Sequence, residues 1–298
     1  MLKEALKRQY PELINKLVTS DSWQRMDDRS FSGLSIAIHE LLCKSFPDDP
    51  EPIERLGEAY HYRKQLYEAG EYYTKALAMD PPQSLSEAEI DRVYRYAPIL
   101  RTNPQEYFKL MDVIAIHHPD KPLIAYHLFW EDDFNFPDDF DPCDHEQIWV
   151  SYNPESGQVD GVWSFFHSYV LTTPEAVEEA NSNQGHPIIR VQWGIHGSLV
   201  HHWESLQVSE IGLTLPEFIK NTYADAIKGG RMSEHPIKQR WPQRFEGSFE
   251  DYLDFSQEVR TEDFLRSKKM LIKSRWANAV IQQHFLAYNF APKYDWPL

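Results

Sequence analysis

The segment LIAYHLFWEDDFNFPDDFDPCDHEQIWV, residues 123–150, marks the point where the sequence changes character. Its first eight residues, and the run 148–152 that starts in its last three residues, are rich in the aromatic and β-branched side chains that favour strands. Similar runs predict strands over 161–171 and 187–194, and residues 173–180 predict a short helix capped by Thr172 or Thr173. Residues 119–298 are therefore predicted to form a β-sandwich-like or α+β domain.

Residues 1–118 show apolar side chains at the three- and four-residue spacing of helices, and 107–114 continues that pattern. Residues 50–83 resemble the tetratricopeptide repeat, with Leu56-Gly57, Tyr60, Tyr73 and Pro81 at its spacing. One repeat cannot bury its own apolar face, so neighbouring helices are expected to stack on it. A groove for a protein partner and a structural lid on the second domain both remain open as interpretations.

Two longer helices are predicted near the C-terminus, over 215–228 and 261–285. In the second, acidic residues lie in the first turn and an apolar face follows. The fold class expected for the chain is α+β, with a tetratricopeptide-like all-α domain over 1–118 followed by the strand-containing domain over 119–298.

Composition excludes several classes of partner. The net charge of −16 over 298 residues repels phosphate, so neither nucleic acid nor an anionic membrane is expected as a partner. No run of about 18 apolar residues predicts a membrane span. The only two cysteines, Cys43 and Cys143, fall in different predicted domains and suit a reducing compartment, which predicts a cytoplasmic location.

The stretch 131–146 is unusually acidic, with eight Asp or Glu among sixteen positions and no Lys or Arg. Phenylalanines alternate with these acids, and burial of the phenylalanine rings would draw the neighbouring carboxylates together. Such oxygen ligands suit Ca²⁺ or Mg²⁺, while nearby histidines keep Mn²⁺ or Zn²⁺ open. A solvated acidic loop anchored by its phenylalanines is the alternative.

Segments 125–133, 140–150 and 191–197 resemble the core of the necrosis- and ethylene-inducing peptide-like proteins and of a related vacuolar-sorting-associated family. The resemblance implies a β-sandwich-like core that binds a divalent cation through Asp133, Asp141, Asp144 and Glu146. It places His196 at the family's strand-end histidine. This chain departs from the family at His145, which stands in place of a Trp, and it lacks the family's Gly-His-Arg-His signature.

Other candidate residues follow the acidic stretch. His196 lies between glycines in WGIHG, and alternation on a strand would put His202 and Glu204 on one face as an acid-base pair or as metal ligands. For His196, and for the pair of His202 and Glu204, the alternative is a purely structural role. Aromatic and histidine side chains are expected to wall a ligand pocket, although a hydrophobic core would use the same pattern: Trp130, Trp163, Phe165, His167, Tyr169 and Trp193.

These patterns predict a metal-dependent enzyme that acts on a small, largely apolar molecule by hydrolysis, cyclisation or isomerisation. The cation would activate water or polarise the substrate, and His196 or His202 would transfer protons. The alternative is a non-catalytic adaptor, in which the helical domain binds a protein partner and the acids hold a structural cation.

Overall fold

A computed structural model describes residues 29–133, 144–167, 169–208, 212–228, 252–285 and 292–297 of the chain. Helices and strands are interleaved over these residues, with three separate sheets, so the predicted α+β class is confirmed. The chain divides into two compact units. The helical unit comprises the described residues up to Gln83 and those from Lys273 onward, and the β-rich unit comprises Ser84–Ile272.

The helical unit contains α1 (Arg29–Ser45), α2 (Pro50–Tyr62), α3 (Leu66–Met79) and α8 (Ala277–Phe285). Asp49 caps α2 by accepting a hydrogen bond from the Glu51 amide, and Pro50 occupies the first turn, where no donor is needed. Only three residues separate α2 from α3, so the second helix returns along the first.

Close packing of α2 on α3 depends on Gly57. A Cβ atom at this position would lie 2.6 Å from the Tyr73 ring, which is completely buried. The close approach that the sequence pattern requires is therefore present. Membership of the tetratricopeptide family stays a prediction.

The all-α domain expected over 1–118 is wrong, because two strands lie inside it: β1 (Ile99–Thr102) and β2 (Leu110–His117). Residues Val113–Ile116 are buried on both faces of the sheet, so they form a continuous apolar run. Such a run also satisfies a helical spacing, which explains the error. The predicted domain boundary at 118/119 falls between β2 and β3 (Leu123–Trp130). These two strands pair antiparallel in one sheet.

The larger sheet of the β-rich unit has six strands. Their order is β12 (Leu271–Lys273), β2, β3, β4 (Asp144–Tyr152), β5 (Val159–Phe166) and β6 (Tyr169–Leu171). Strand β3 covers the predicted 123–130, and all eight of its residues are buried. Its neighbour β4 (Asp144–Tyr152) begins opposite the end of β3, with Trp130 across from Asp144. This register brings the last residues of the acidic stretch, 144–146, to the end of β3.

The strand predicted over 161–171 is a hairpin. β5 (Val159–Phe166) ends before His167, whose φ of 42° lies in the left-handed region, and β6 (Tyr169–Leu171) pairs back on it. The alternation of side chains between the two faces of the sheet, expected along one strand, is therefore broken after Phe166.

A second sheet has the order β11-β1-β7-β8, in which β7 (Ile188–Val191) runs parallel to β1, while β8 (Ser198–Leu199) and β11 (Gln257–Arg260) are antiparallel to their neighbours. Its edge lies against the larger sheet, since the Ser164 hydroxyl donates to the Ser198 carbonyl at 2.6 Å. A third, two-stranded sheet joins β9 (Gln207–Val208) to β10 (Leu213–Thr214).

Helices α4 (Glu87–Arg95), α5 (Pro174–Ser182), α6 (Leu215–Lys228) and α7 (Thr261–Lys268) complete the β-rich unit. The bounds of α6 are those predicted, and Thr173 rather than Thr172 caps α5 through the Ala176 amide. In the part of the chain that is described, no helix is both long enough and apolar enough to cross a membrane.

The single helix predicted over 261–285 is wrong. α7 stops where Lys269 adopts a left-handed conformation, with φ 55°; β12 (Leu271–Lys273) then joins the larger sheet, and α8 begins at Ala277. The apolar spacing is compatible with a helix, but hydrogen bonding to the edge of β2 decides the conformation of Leu271–Lys273.

Candidate functional site

The connection between β7 and β8 holds His196 rigidly. Its amide donates to the Gln192 carbonyl, and the Gln192 amide donates to the Gly197 carbonyl, both at 3.0 Å. Gly197 must be glycine here, since a Cβ would lie 2.5 Å from the Phe166 ring. His196 itself has a φ of 49°, a strained conformation for a residue with a side chain, of the kind that collects at functional sites.

The His196 imidazole is fully buried between two carboxylates. Its Nδ1 lies 2.9 Å from an Asp144 oxygen, and its Nε2 lies 3.5 Å from a Glu106 oxygen. Two predicted site residues, Asp144 and His196, are therefore brought into direct contact by the register of β4 and the turn before β8.

Aromatic rings enclose this cluster. Trp130 stacks on the His196 ring with a centroid separation of 4.2 Å and an interplanar angle of 4°, and Phe108 meets its edge at 6.1 Å. A ring stack of this kind stabilises a protonated imidazole and keeps water from it.

The charge of His196 follows from its neighbours. Burial alone would lower its pKa, but the carboxylates of Glu106 and Asp144 outweigh burial and raise the pKa to about 10. At neutral pH both ring nitrogens therefore carry protons. His196 consequently contacts two carboxylates at once, and its expected role in proton transfer stays a prediction.

Glu106 is the site residue that the sequence did not indicate. Its Oε1 accepts hydrogen bonds from the amides of Tyr107 and Phe108, and its Oε2 accepts one from Gly194 at 3.0 Å. It thereby joins the segment before β2 to the His196 turn. Nothing in the local sequence distinguishes it from a surface glutamate, because Gly194, the partner that brings it to the His196 turn, lies 88 residues away.

The predicted metal ligands are partly described. Asp144 and Glu146 lie on the same buried face of β4, and Asp133 is buried after β3. Asp141 lies outside the described residues. Asp133, Asp144 and Glu146 do not by themselves form a close ligand group. Among the described residues, one group of three His, Cys, Asp or Glu side chains has ligand atoms that all lie within 4.8 Å of one another. This group consists of Glu54, Glu58 and Asp295 in the helical unit.

His202 and Glu204 do not form the pair predicted for them. His202 has a φ of 62° and precedes a 3-10 turn, Trp203–Ser205, so no strand aligns it with Glu204. Its half-exposed ring instead pairs with Glu175 at 3.1 Å. Both residues are exposed, whereas His196 is fully buried.

The predicted pocket residues do not line one wall. Trp130 lies on His196, while Trp193 stacks on Tyr252 at 4.0 Å. Trp163 and Phe165 alternate with Ser164 and Phe166, so they face the opposite side of the sheet. His167 and Tyr169, beyond the hairpin turn, both contact the Phe218 ring.

The face of the sheet that carries Trp163 and Phe165 also carries a contact between two histidines. His127 Nδ1 and His145 Nε2 are 3.0 Å apart, and Phe129 stacks on His145 at 4.9 Å. The histidines expected to offer transition-metal ligands are therefore divided between the two faces, and His196 does not share a site with this pair.

No family model matches the chain, and neither a curated protein nor a solved structure matches it.

Proposed function

We propose that the β-rich unit is an enzyme that acts on a small, largely apolar molecule by hydrolysis, cyclisation or isomerisation. Asp144 is the carboxylate that acts on the substrate, and His196 is the positioning residue that holds it. The observation that supports this proposal most strongly is the 2.9 Å contact between these two buried side chains.

Energetics favour a functional rather than a stabilising role. Asp144 and Glu106 place two carboxylates against the single His196 imidazole in a largely buried setting, and burying ions costs stability unless they are fully compensated. The displaced pKa of His196 and its strained backbone are characteristic of functional sites.

The substrate class follows from the rings beside the cluster. Trp130 and Phe108 enclose His196, and Trp193 is stacked on Tyr252 nearby in the same connection. Apolar walls around a few fixed charges are typical of small-molecule sites. A largely apolar substrate is therefore favoured over a charged one.

A divalent cation, Ca²⁺ or Mg²⁺ with Mn²⁺ or Zn²⁺ as alternatives, remains part of the proposal, with Asp133, Asp141, Asp144 and Glu146 as ligands. When bound it would polarise a substrate oxygen. Asp133, Asp144 and Glu146, the three described carboxylates, do not form a close ligand group, and no catalytic step is assigned to the cation.

A panel of aryl esters and lactones tests the proposal, assayed with each of the four cations and with chelator. Asp144→Asn is expected to lower kcat/KM by ~100-fold or more, the usual contribution of a catalytic acid or base. Circular dichroism at the assay temperature checks that the variant is folded. Absence of turnover across the panel, or turnover unchanged in the variant, contradicts the proposal.

A second candidate function is a non-catalytic adaptor, in which a tetratricopeptide-like helical unit binds a protein partner in the cytoplasm. It is favoured by two large exposed apolar residues on its helices, Tyr67 at 76% and Leu41 at 51% exposure. Tyr60→Ala, which removes the ring stacked on Tyr72 at 5.3 Å, should then abolish partner binding. Partner binding that is unaffected by Tyr60→Ala and Tyr67→Ala would contradict this candidate.

A further inference from the structure

Three carboxylates converge inside the helical unit. Glu54 and Glu58 lie one turn apart on α2, and Asp295 comes from the C-terminal segment 292–297. Their exposed fractions are 0%, 7% and 5%, and one oxygen from each lies within 4.8 Å of the others. None of the three belongs to the acidic stretch that dominates the sequence.

The positive charge beside these acids is too small to balance them. Arg55 lies 2.6 Å from Glu58, 3.6 Å from Glu54 and 3.7 Å from Asp295. One guanidinium against three carboxylates leaves two negative charges in excess when all are ionised. A single divalent cation would cancel that excess.

Hydrogen bonding singles out Glu54. The Asn278 side-chain amide donates to Glu58, and the Asn278 backbone amide donates to Asp295, both at 2.7 Å. Neither oxygen of Glu54 accepts a hydrogen bond from any described residue, although the side chain is completely buried. A buried carboxylate whose two oxygens accept no hydrogen bond from the described residues, and one of which lies within 4.8 Å of two other acids, is costly unless a ligand binds it.

We propose that Glu54, Glu58 and Asp295 bind a hard divalent cation of the Ca²⁺ class. Carboxylate oxygens are the donors that such cations prefer. Two ligands of one ion can be separated by at most twice the metal–oxygen distance, which is about 4.2 Å for Mg²⁺ and roughly 4.6–5.2 Å for Ca²⁺. One oxygen from each of Glu54, Glu58 and Asp295 lies within 4.8 Å of the others, which is compatible with ligands of one such ion.

Binding of this ion joins parts of the helical unit that are distant in sequence. Glu54 and Glu58 belong to α2, whereas Asp295 follows α8 and is held to the start of that helix by Asn278. The cation therefore stabilises the packing of the C-terminal segment on α2. This site is independent of the Asp144–His196 pair in the β-rich unit.

Protonation is the competing way to remove the charge. Burial, followed by the nearby acids, raises the pKa of Glu54 well above its usual range; burial, followed by Glu58, raises that of Asp295 to about 7.

The test titrates Ca²⁺, then Mg²⁺, into the chelator-treated full-length chain by calorimetry, with thermal melts in parallel. In the wild type we expect Ca²⁺ to bind and to raise the melting midpoint by roughly 5 °C at ~100 times its Kd. Glu54→Gln keeps the size of the side chain, removes its charge, and should abolish this Ca²⁺ response. Glu71→Gln, at an exposed position on α3, is the matched control and should retain it.

Asp295→Asn serves as a second variant in case Glu54→Gln fails to fold, and it should also abolish the response. The proposal is overturned if the wild type shows no Ca²⁺ response, or if the response persists in the folded variants of Glu54 and Asp295. Loss of the response in Glu54→Gln with esterase turnover unchanged would separate this site from the proposed activity of the β-rich unit.

Discussion

The Nδ1 atom of His196 lies 2.9 Å from a carboxylate oxygen of Asp144, although 52 residues separate them in the chain. Asp144 is the first residue of β4, and His196 ends the turn that leads to β8. The contact joins the larger sheet to the second sheet, with Trp130 stacked over it. The proposed activity and the stability of the β-rich unit both depend on this pair.

Asp144→Asn is expected to destabilise the β-rich unit. The change leaves the buried His196 with one charged partner fewer, and breaking a buried ion pair typically costs about 3–5 kcal/mol. Urea unfolding followed by tryptophan fluorescence measures the loss. Asp91→Asn, on the exposed side of α4, is the control and should change stability by less than about 0.5 kcal/mol. Equal stability of the two variants would show that the ion pair contributes little.

Stability should also depend on pH through His196. Its folded pKa of about 10 exceeds the usual 6.5, so the folded state binds the proton more tightly. The stabilisation is complete below about pH 6.5 and is lost as pH rises through about 10. The difference in unfolding free energy between wild type and His196→Asn should therefore be larger at pH 6 than at pH 9.5. An equal or larger difference at pH 9.5 would argue against a protonated His196.

Gly57→Ala should weaken the helical unit. The new Cβ would lie 2.6 Å from the Tyr73 ring, and overpacking of this kind typically costs about 1–3 kcal/mol. Thermal unfolding of the variant measures the effect. In the background Tyr73→Leu, where the ring is absent, the same change should cost much less. A full cost in both backgrounds would place the cause in the backbone instead of the ring.

Lys269→Gly should stabilise the chain by up to about 1 kcal/mol. Lys269 ends α7 with a φ of 55°, a conformation that glycine adopts without strain, and its amide donates to the Leu265 carbonyl. Ser267→Gly, inside the last turn of α7, should cost about 1 kcal/mol instead. Chemical denaturation compares the two variants. Destabilisation by Lys269→Gly would mean that α7 does not end in this conformation.

Local patterns predicted those elements whose own residues determine them. β3 is a compact run of aromatic and β-branched residues, and α6 has a complete apolar face, so both have the predicted bounds. The Thr173 cap is equally local, because its partner lies only three residues away. The contact of Asp144 with His196 was anticipated only to the extent that both were candidate site residues.

Contacts between residues that are distant in the sequence determined the elements and site residues that local patterns did not predict. Residues 110–117 have a helical spacing but pair with β3, and Leu271–Lys273 forms an edge strand in place of the middle of a helix. Glu106 and Glu54 gain their surroundings from residues far along the chain, Gly194 in one case and Asp295 in the other. No local pattern carries that information.

The most direct test of the proposed activity is made at Asp144, the carboxylate proposed to act on the substrate and held by His196. The measurement is kcat/KM of Asp144→Asn on an aryl ester that the wild type hydrolyses, with the exposed Asp91→Asn as the control, made alongside urea unfolding of all three proteins to show that each is folded in the assay. We expect a loss of ~100-fold or more in kcat/KM for Asp144→Asn and an unchanged value for Asp91→Asn. Unchanged kcat/KM in a folded Asp144→Asn variant, or the absence of any ester that the wild type hydrolyses, would contradict a catalytic site on β4.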